Sequence, residues 1–205
     1  MKVRKILVSQ PRPAVIEKSP FYEFSEKHGL EVDYKPLIRV VGVSLKEFRA
    51  QRTEILDHTT MIFSSRTTID SFFRICEEAR ITVPETMKYI CNTEAVALYL
   101  QKYIVYRKRK IFFGKSGKMD DLIPALTKHI KEKFLLPVSD VHKDTLSVLD
   151  YNKIPYTTAV MYRTVSNDFT EEEAFDYDML MFFSPAGIDS LKKNFPNFEQ
   201  GDIKI

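Results

Sequence analysis

Four serines stand at the ends of short apolar runs: Ser9, Ser65, Ser139 and Ser184. Each run reads as a strand and each serine precedes a helix-like stretch. All four therefore fall at strand carboxyl ends, where open α/β sheets bind ligands. Unbonded amides and the dipole at such helix starts favour anions. Capping is the ordinary use of any one of these hydroxyls; four on corresponding edges describe a cleft for several anions. From Lys102 to Lys118 there are seven basic residues and no acid, more than the formal net charge of +3 for the whole chain. Amide hydrogen bonds to a charged group contribute about 1.5–3 kcal/mol each, against about 0.2–1 kcal/mol for an exposed ion pair. Amides should therefore hold an anion and the basic run steer it; the same run also reads as a solvated loop beside an edge strand. Tyr162 is a further candidate. Its phenol could donate a hydrogen bond or proton, or simply pack with its hydroxyl in water.

Much chemistry has no matching motif. The chain contains no GxSxG elbow, no GxxxxGK[ST] loop and no GxGxxG, and its six glycines leave little for a nucleotide cradle. Cys76 and Cys91 lack metal-ligand spacing, and the four histidines form no ligand pair. No metal or cofactor is expected. Tyr103 and Tyr106 beside the basic run suggest nucleic-acid stacking, but no nucleic-acid-binding signature accompanies them. No stretch is long enough to span a membrane and the N-terminal apolar run is too short for a leader, so a cytoplasmic protein is expected.

The elements that must position these residues alternate. Strands are expected at 5–9, 60–64, 87–91, 110–113, 134–137, 156–165, 179–183 and near Ile203. Helices are expected at 19–28, 44–56, 67–80, 94–103, 120–131, 141–151 and 185–195. Gly29 suits a helix terminus, and Ser44 with Glu47 forms a capping box. Glu31 to Val43 is long for one strand, with Pro36 marking a break. Asp168 to Glu173 reads as an acidic turn. Such alternation predicts parallel sheets covered by helices on both faces.

The chain also repeats itself. At an offset of 119, Asp57, Phe63, Ser65, Ile69, Asp70 and Ser71 meet Asp176, Phe182, Ser184, Ile188, Asp189 and Ser190. A weaker echo links Leu7-Val8-Ser9 with Leu136 to Ser139. Any two α/β units share apolar strands and serine caps, but Asp70 and Ser71 lie on the helix, which favours duplication. Two flavodoxin-like lobes joined by a two-stranded ribbon are expected. Lobe one is discontinuous (1–36 and 167–205), lobe two spans 38–164, and the ribbon lies at 37–43 and 159–165. Tyr162 then lies at the crossing, and the cleft between lobes suits a small molecule.

The order of Lys5-Ile6-Leu7-Val8-Ser9, Phe63-Ser64-Ser65, Val160-Met161-Tyr162-Arg163-Thr164-Val165 and Phe182-Phe183-Ser184-Pro185-Ala186-Gly187 resembles uroporphyrinogen-III synthases, in their divergent Bacteroidetes-type form. The resemblance spans the whole chain. It implies a cofactor-free, monomeric lyase of haem biosynthesis that closes over its substrate by flexing the ribbon. That substrate is hydroxymethylbilane, an octacarboxylate. Loss of its hydroxyl gives an azafulvene, a spiro intermediate follows, and the ring closes with ring D inverted. Tyr162 matches the family's most implicated side chain, which assists hydroxyl departure. The resemblance also places carboxylate binding near Ser9, Arg12, Ser65, Arg66, Thr67, Thr93, Ser116, Gly117, Ser139 and Ser184. It leaves room for a transient contact with the preceding pathway enzyme. A non-catalytic module binding a tetrapyrrole or other polyanion is the alternative.

Three departures stand out. The family's Gly-x-x-Thr-Ala reads Asn92-Thr93-Glu94-Ala95-Val96, with Thr93 offering a nearby hydroxyl. Its Thr-Arg-Pro reads Ser9-Gln10-Pro11, with Arg12 in place to restore the charge. Its second Gly-Pro-Thr-Thr-Ala-type turn is absent before Ile205, so the chain is expected to lack the family's C-terminal end; a chain without it is expected to show weak activity or none.

Overall fold

The computed structural model describes residues 3–140, 143–169 and 175–205, with 143–145 described by backbone alone. The expected acidic turn lies mostly outside the described residues, as does the expected helix start at Val141. The chain forms two compact units, Met1–Val40 with Thr164–Ile205, and Val41–Arg163.

The smaller unit is built on β1 (Lys5–Val8), β2 (Glu31–Tyr34) and β9 (Met179–Met181). These strands pair in parallel in the order β2-β1-β9, and Lys204 bridges Met179 in parallel on the far side. Helix α1 (Tyr22–His28) stops at Gly29, whose φ of 61° is left-handed and suits a residue without Cβ. Leu7, Leu37, Tyr177 and Leu180 form the core with Leu191 of α7 (Pro185–Asn194). Ser190, one of the repeated serines, bonds the Leu37 carbonyl.

The larger unit contains β4 (Thr60–Phe63), β5 (Lys88–Cys91), β6 (Ile111–Phe113) and β7 (Phe134–Ser139). Its six-stranded sheet is completed by β3 (Ile38–Gly42) and β8 (Tyr156–Ser166), both of which run across the division between units. The order is β3-β8-β7-β4-β5-β6, with parallel pairs from β8 through β6. Beside β8, the Val43 N–H donates to Met161 (3.1 Å) and the Asn167 N–H to Leu37 (2.9 Å). Residue numbers fall on one strand as they rise on the other, so β3 lies antiparallel to β8. The break expected at Pro36 separates β2 from β3.

The two sheets share a plan. Laying β7 on β1, β8 on β2 and β4 on β9 gives the same order, with β5 matching the Lys204 segment. These are the pairings that the repeat and its weaker echo specify.

In the larger unit β4 alternates faces, as period-two geometry requires. Met61 and Phe63 join the core beneath α2 (Leu45–Ala50), α3 (Arg66–Ala79) and α4 (Glu94–Tyr99). Ile62 joins the opposite core with Leu126 of α5 (Ile123–Lys128) and Leu149 of α6 (Lys143–Tyr151). Among the described residues, no helix is long and apolar enough to cross a membrane.

Helix α1 starts at Tyr22 rather than Ser19, and α2, α4 and α5 are also shorter than the sequence suggests. The Ser44–Glu47 box opens α2, but the helix ends at Ala50, Arg52 turns left-handed (φ 55°), and Ile55 is buried in a 3₁₀ turn. Tertiary burial of Ile55 overrides continued helix propensity. The stretch 94–103 divides into α4 and a 3₁₀ turn, Leu100–Lys102, that buries Leu100. Pro124 has no N–H for an α-helical bond, so Met119–Leu122 is 3₁₀ and the α-helix starts at Ile123.

Candidate active site

The carboxyl ends of β4 and β7 lie beside the middle of β8. Strands β7 and β8 pair regularly from Phe134↔Tyr156 to Val138↔Val160, then shift so that Ser139 faces Tyr162. Met161 is the extra residue of this bulge, and its side chain is fully buried. A bulge re-aims the residue that follows it; here it sets Tyr162 beside Ser139. The half-buried phenol lies close enough to the hydroxyls of Ser65 and Ser139 for both to act on its ionisation. Burial raises its pKa, those two hydroxyls pull it back and Asp140 pushes it up; the net shift is upward. The phenol therefore holds its proton through the neutral range.

Ser65 links β4 to α3 and caps the helix. Its Oγ accepts the Thr68 N–H at 3.2 Å, and Thr68 Oγ1 accepts the Ser65 N–H at 3.2 Å. The amides of Arg66 and Thr67, at the first two helical positions, lie outside this box and have no intrahelical acceptor. The Arg66 guanidinium sits 5.3 Å above the Tyr99 ring. Tyr99 donates to Asp70 (2.9 Å), which also accepts from Tyr103 and Lys102. Asp70 pairs with Lys102, and the Tyr103 hydroxyl, then Asp70 and the Tyr99 hydroxyl, raise the Lys102 pKa. Arg66 has no acidic partner among the described residues.

Ser65→Ala is expected to cost about 1 kcal/mol through the lost cap. Urea denaturation checks this: the midpoint should fall with no change in slope.

A second group lies at the ends of β5 and β6. Thr93 caps α4 by accepting the Val96 N–H at 3.3 Å. Asn92 Nδ2 donates to the Gly117 carbonyl at 3.1 Å, holding the loop after β6 against this cap. Gly117 has φ +81°, and a Cβ there would lie 3.3 Å from Thr93 Cγ2, so its place requires glycine. The Asp121 carboxylate accepts the amides of Lys115 and Ser116, fixing the same loop. Thr93, Ser116 and Gly117 are thus brought together.

The basic run is not one patch. Lys102 pairs with Asp70, Arg107 pairs with Glu85 (2.8 Å), and Lys110 bonds the Glu85 carbonyl. Lys115 and Lys118 flank the Ser116–Gly117 turn at the strand ends. Lys108 and Arg109 lie in the short 3₁₀ turn before β6, so Lys115 and Lys118 are the members of the run that adjoin this loop.

In the smaller unit, Ser9 follows β1 and its N–H donates to Met181 (3.0 Å). Ser184 holds the N-cap position of α7 with Pro185 behind it, but makes no side-chain capping bond, unlike the plain cap expected. A Cβ on Gly187 in that first turn would lie 3.8 Å from Ser9 Oγ, so Ser9 adjoins the helix start. Arg12 is exposed in the loop after β1 and makes no contact with these serines among the described residues. Ser9 and Ser184 occupy in this unit the places of Ser139 and Ser65 in the other. Each unit therefore presents hydroxyls and amides at adjacent strand ends, and the larger adds a phenol and a guanidinium. These groups can hold carboxylates and donate one proton.

Sequence reasoning misses Asp121, Tyr99 and Asn92, each of which fixes another residue of the site. Only tertiary contacts reveal them, although the offset repeat does single out Asp70, the partner of Tyr99.

Comparison with known proteins adds three findings. The HEM4 family profile, described as uroporphyrinogen-III synthase HemD, matches residues 21–205. A mutant uroporphyrinogen III synthase from the extreme thermophile Thermus thermophilus superposes with a TM-score of 0.61 at 14% identity, over 95% of this chain and 79% of that one. Uroporphyrinogen-III synthetase from Helicobacter pylori gives 0.59 at 16% identity, over 96% and 80%. At such identity the structural likeness concerns the fold. No curated protein sequence matches.

Proposed function

Because the chain belongs to the uroporphyrinogen-III synthase family, hydro-lyases of tetrapyrrole biosynthesis, we propose that it cyclises hydroxymethylbilane to uroporphyrinogen III. Water is lost and ring D is inverted. The observation that supports the chemical assignment is the convergence of the Tyr162 phenol on Ser65 and Ser139.

Departure of the hydroxyl breaks a C–O bond. The Tyr162 O–H points a proton at the leaving oxygen, the pyrrole nitrogen's electron pair replaces the lost bond, and water leaves. The pyrrole N–H proton then balances the step by returning to the phenolate oxygen, giving the neutral azafulvene. A phenol whose pKa is raised does not ionise by itself in the neutral range, so its proton moves only as the C–O bond breaks.

Substrate carboxylates are assigned to donors. In the larger unit these are the amides of Arg66 and Thr67, the Arg66 guanidinium, and the groups of Ser65, Ser139, Thr93, Ser116 and Gly117. In the smaller unit they are Ser9, Arg12 and Ser184. Donors arranged ahead of binding avoid reorganisation when the substrate arrives.

Mixing the protein with freshly generated hydroxymethylbilane tests this reading. Substrate consumption faster than spontaneous closure supports it. Tight binding of uroporphyrinogen without turnover would instead establish a tetrapyrrole-binding module.

A further inference from the structure

The stretch Val160–Arg163 is held by three side chains from outside the sheet. Gln51 places its amide against Val160 as a strand would: Nε2 donates to the Val160 carbonyl and Oε1 accepts the Val160 N–H, both at 2.8 Å. At the bulge, the Met161 carbonyl accepts the Val43 N–H (3.1 Å) and lies 3.4 Å from Arg74 Nη2, which donates to the Val43 carbonyl at 2.7 Å. Gly42 leaves room for that guanidinium, since a Cβ there would lie 2.5 Å from Arg74 Nη2. Arg163 donates to Glu47 at 2.8 Å, and the same carboxylate closes the Ser44 capping box. These contacts hold the Glu47 pKa down at about 2, with the Ser44 hydrogen bonds the largest cause.

Tyr162 is the one member of the stretch whose side chain turns to the serines. Val160 and Met161, successive residues, each have a carbonyl taken by a partner outside the β7 pairing. This is the signature of a bulge, and without those partners the ladder could return to regular register. A one-residue slip would send Tyr162 to the other face of the sheet.

We propose that Gln51 is a positioning residue for Tyr162, acting through Val160 to keep the bulge in register. The proposal rests on the reading of Tyr162 as the proton donor. The early end of α2 serves it: stopping at Ala50 and turning at Arg52 leaves Gln51 at the helix terminus facing β8, while buried Phe48 anchors the helix.

The test compares Gln51→Leu in the wild-type and Tyr162→Phe backgrounds. It reads kcat, KM and the ¹³Cζ NMR signal of Tyr162, which is assigned by its loss in Tyr162→Phe. Gln51 is exposed, so the variant is expected to fold. In the wild-type background kcat should fall roughly tenfold with KM little changed, as misplacement of a reacting group predicts. In the Tyr162→Phe background it should fall less than about twofold, since a positioning residue has nothing left to position. The Tyr162 signal and its titration should move. An unmoved signal, or an equal loss in both backgrounds, overturns the proposal. Should Tyr162→Phe turn over like wild type, the proton-donor reading fails and the NMR signal alone decides whether Gln51 positions the phenol.

Discussion

Tyr162→Phe is expected to lower kcat about a hundredfold, the lower end of what a positioned acid–base group contributes. KM and the unfolding midpoint should change little. The substitution removes one oxygen from a half-buried ring and leaves its packing against the core around Met161 intact. Ser65 and Ser139 lose a neighbouring hydroxyl, but Ser65 retains the Thr68 amide, so the α3 cap survives. Steady-state kinetics with circular dichroism separates the two effects. Wild-type turnover by a folded variant would remove the role assigned to Tyr162.

Phe72→Ala is expected to be the most damaging core change, costing about 3–5 kcal/mol from a total typically about 5–15 kcal/mol. Phe72 is fully buried on α3, with its ring 5.5 Å from Phe63 and 5.1 Å from Phe73. The loss reaches the site because the same helix carries Ser65, Arg66 and Thr67 at its start. Equilibrium denaturation monitored on the larger unit should show a much lower midpoint. A loss below about 1 kcal/mol would mean that the cavity closes, contrary to the dense packing described.

What the sequence reveals depends on how local the cause is. The Ser44 box, the Gly29 terminus and the break at Pro36 are each set within a few residues, and all are readable from residue type. The strand-end positions of Ser9, Ser65, Ser139 and Ser184 follow from apolar runs of the right length. The duplication is legible because Asp70 and Ser71 recur on a helix, and the shared strand order of the two sheets explains why.

The unreadable features are non-local. The bulge at Met161 depends on the register of β7 against β8, and Gln51 lies 109 residues from Val160. No spacing rule announces such a pair. The basic stretch misleads for the same reason: its run of like charge hides acids at Asp70 and Glu85 that neutralise part of it. Ser184 fits every cap preference, yet its hydroxyl makes no capping bond. Residue type there describes what is permitted, and packing selects what is used.

The central claim is catalysis of ring closure with inversion of ring D, and product isomer composition tests it most directly. Hydroxymethylbilane should be generated in the presence and absence of the protein, the products oxidised, and the porphyrin isomers separated. Predominance of the type III isomer, rising with protein concentration, is the predicted result. The type I isomer alone at every protein concentration, as forms spontaneously, would contradict the account.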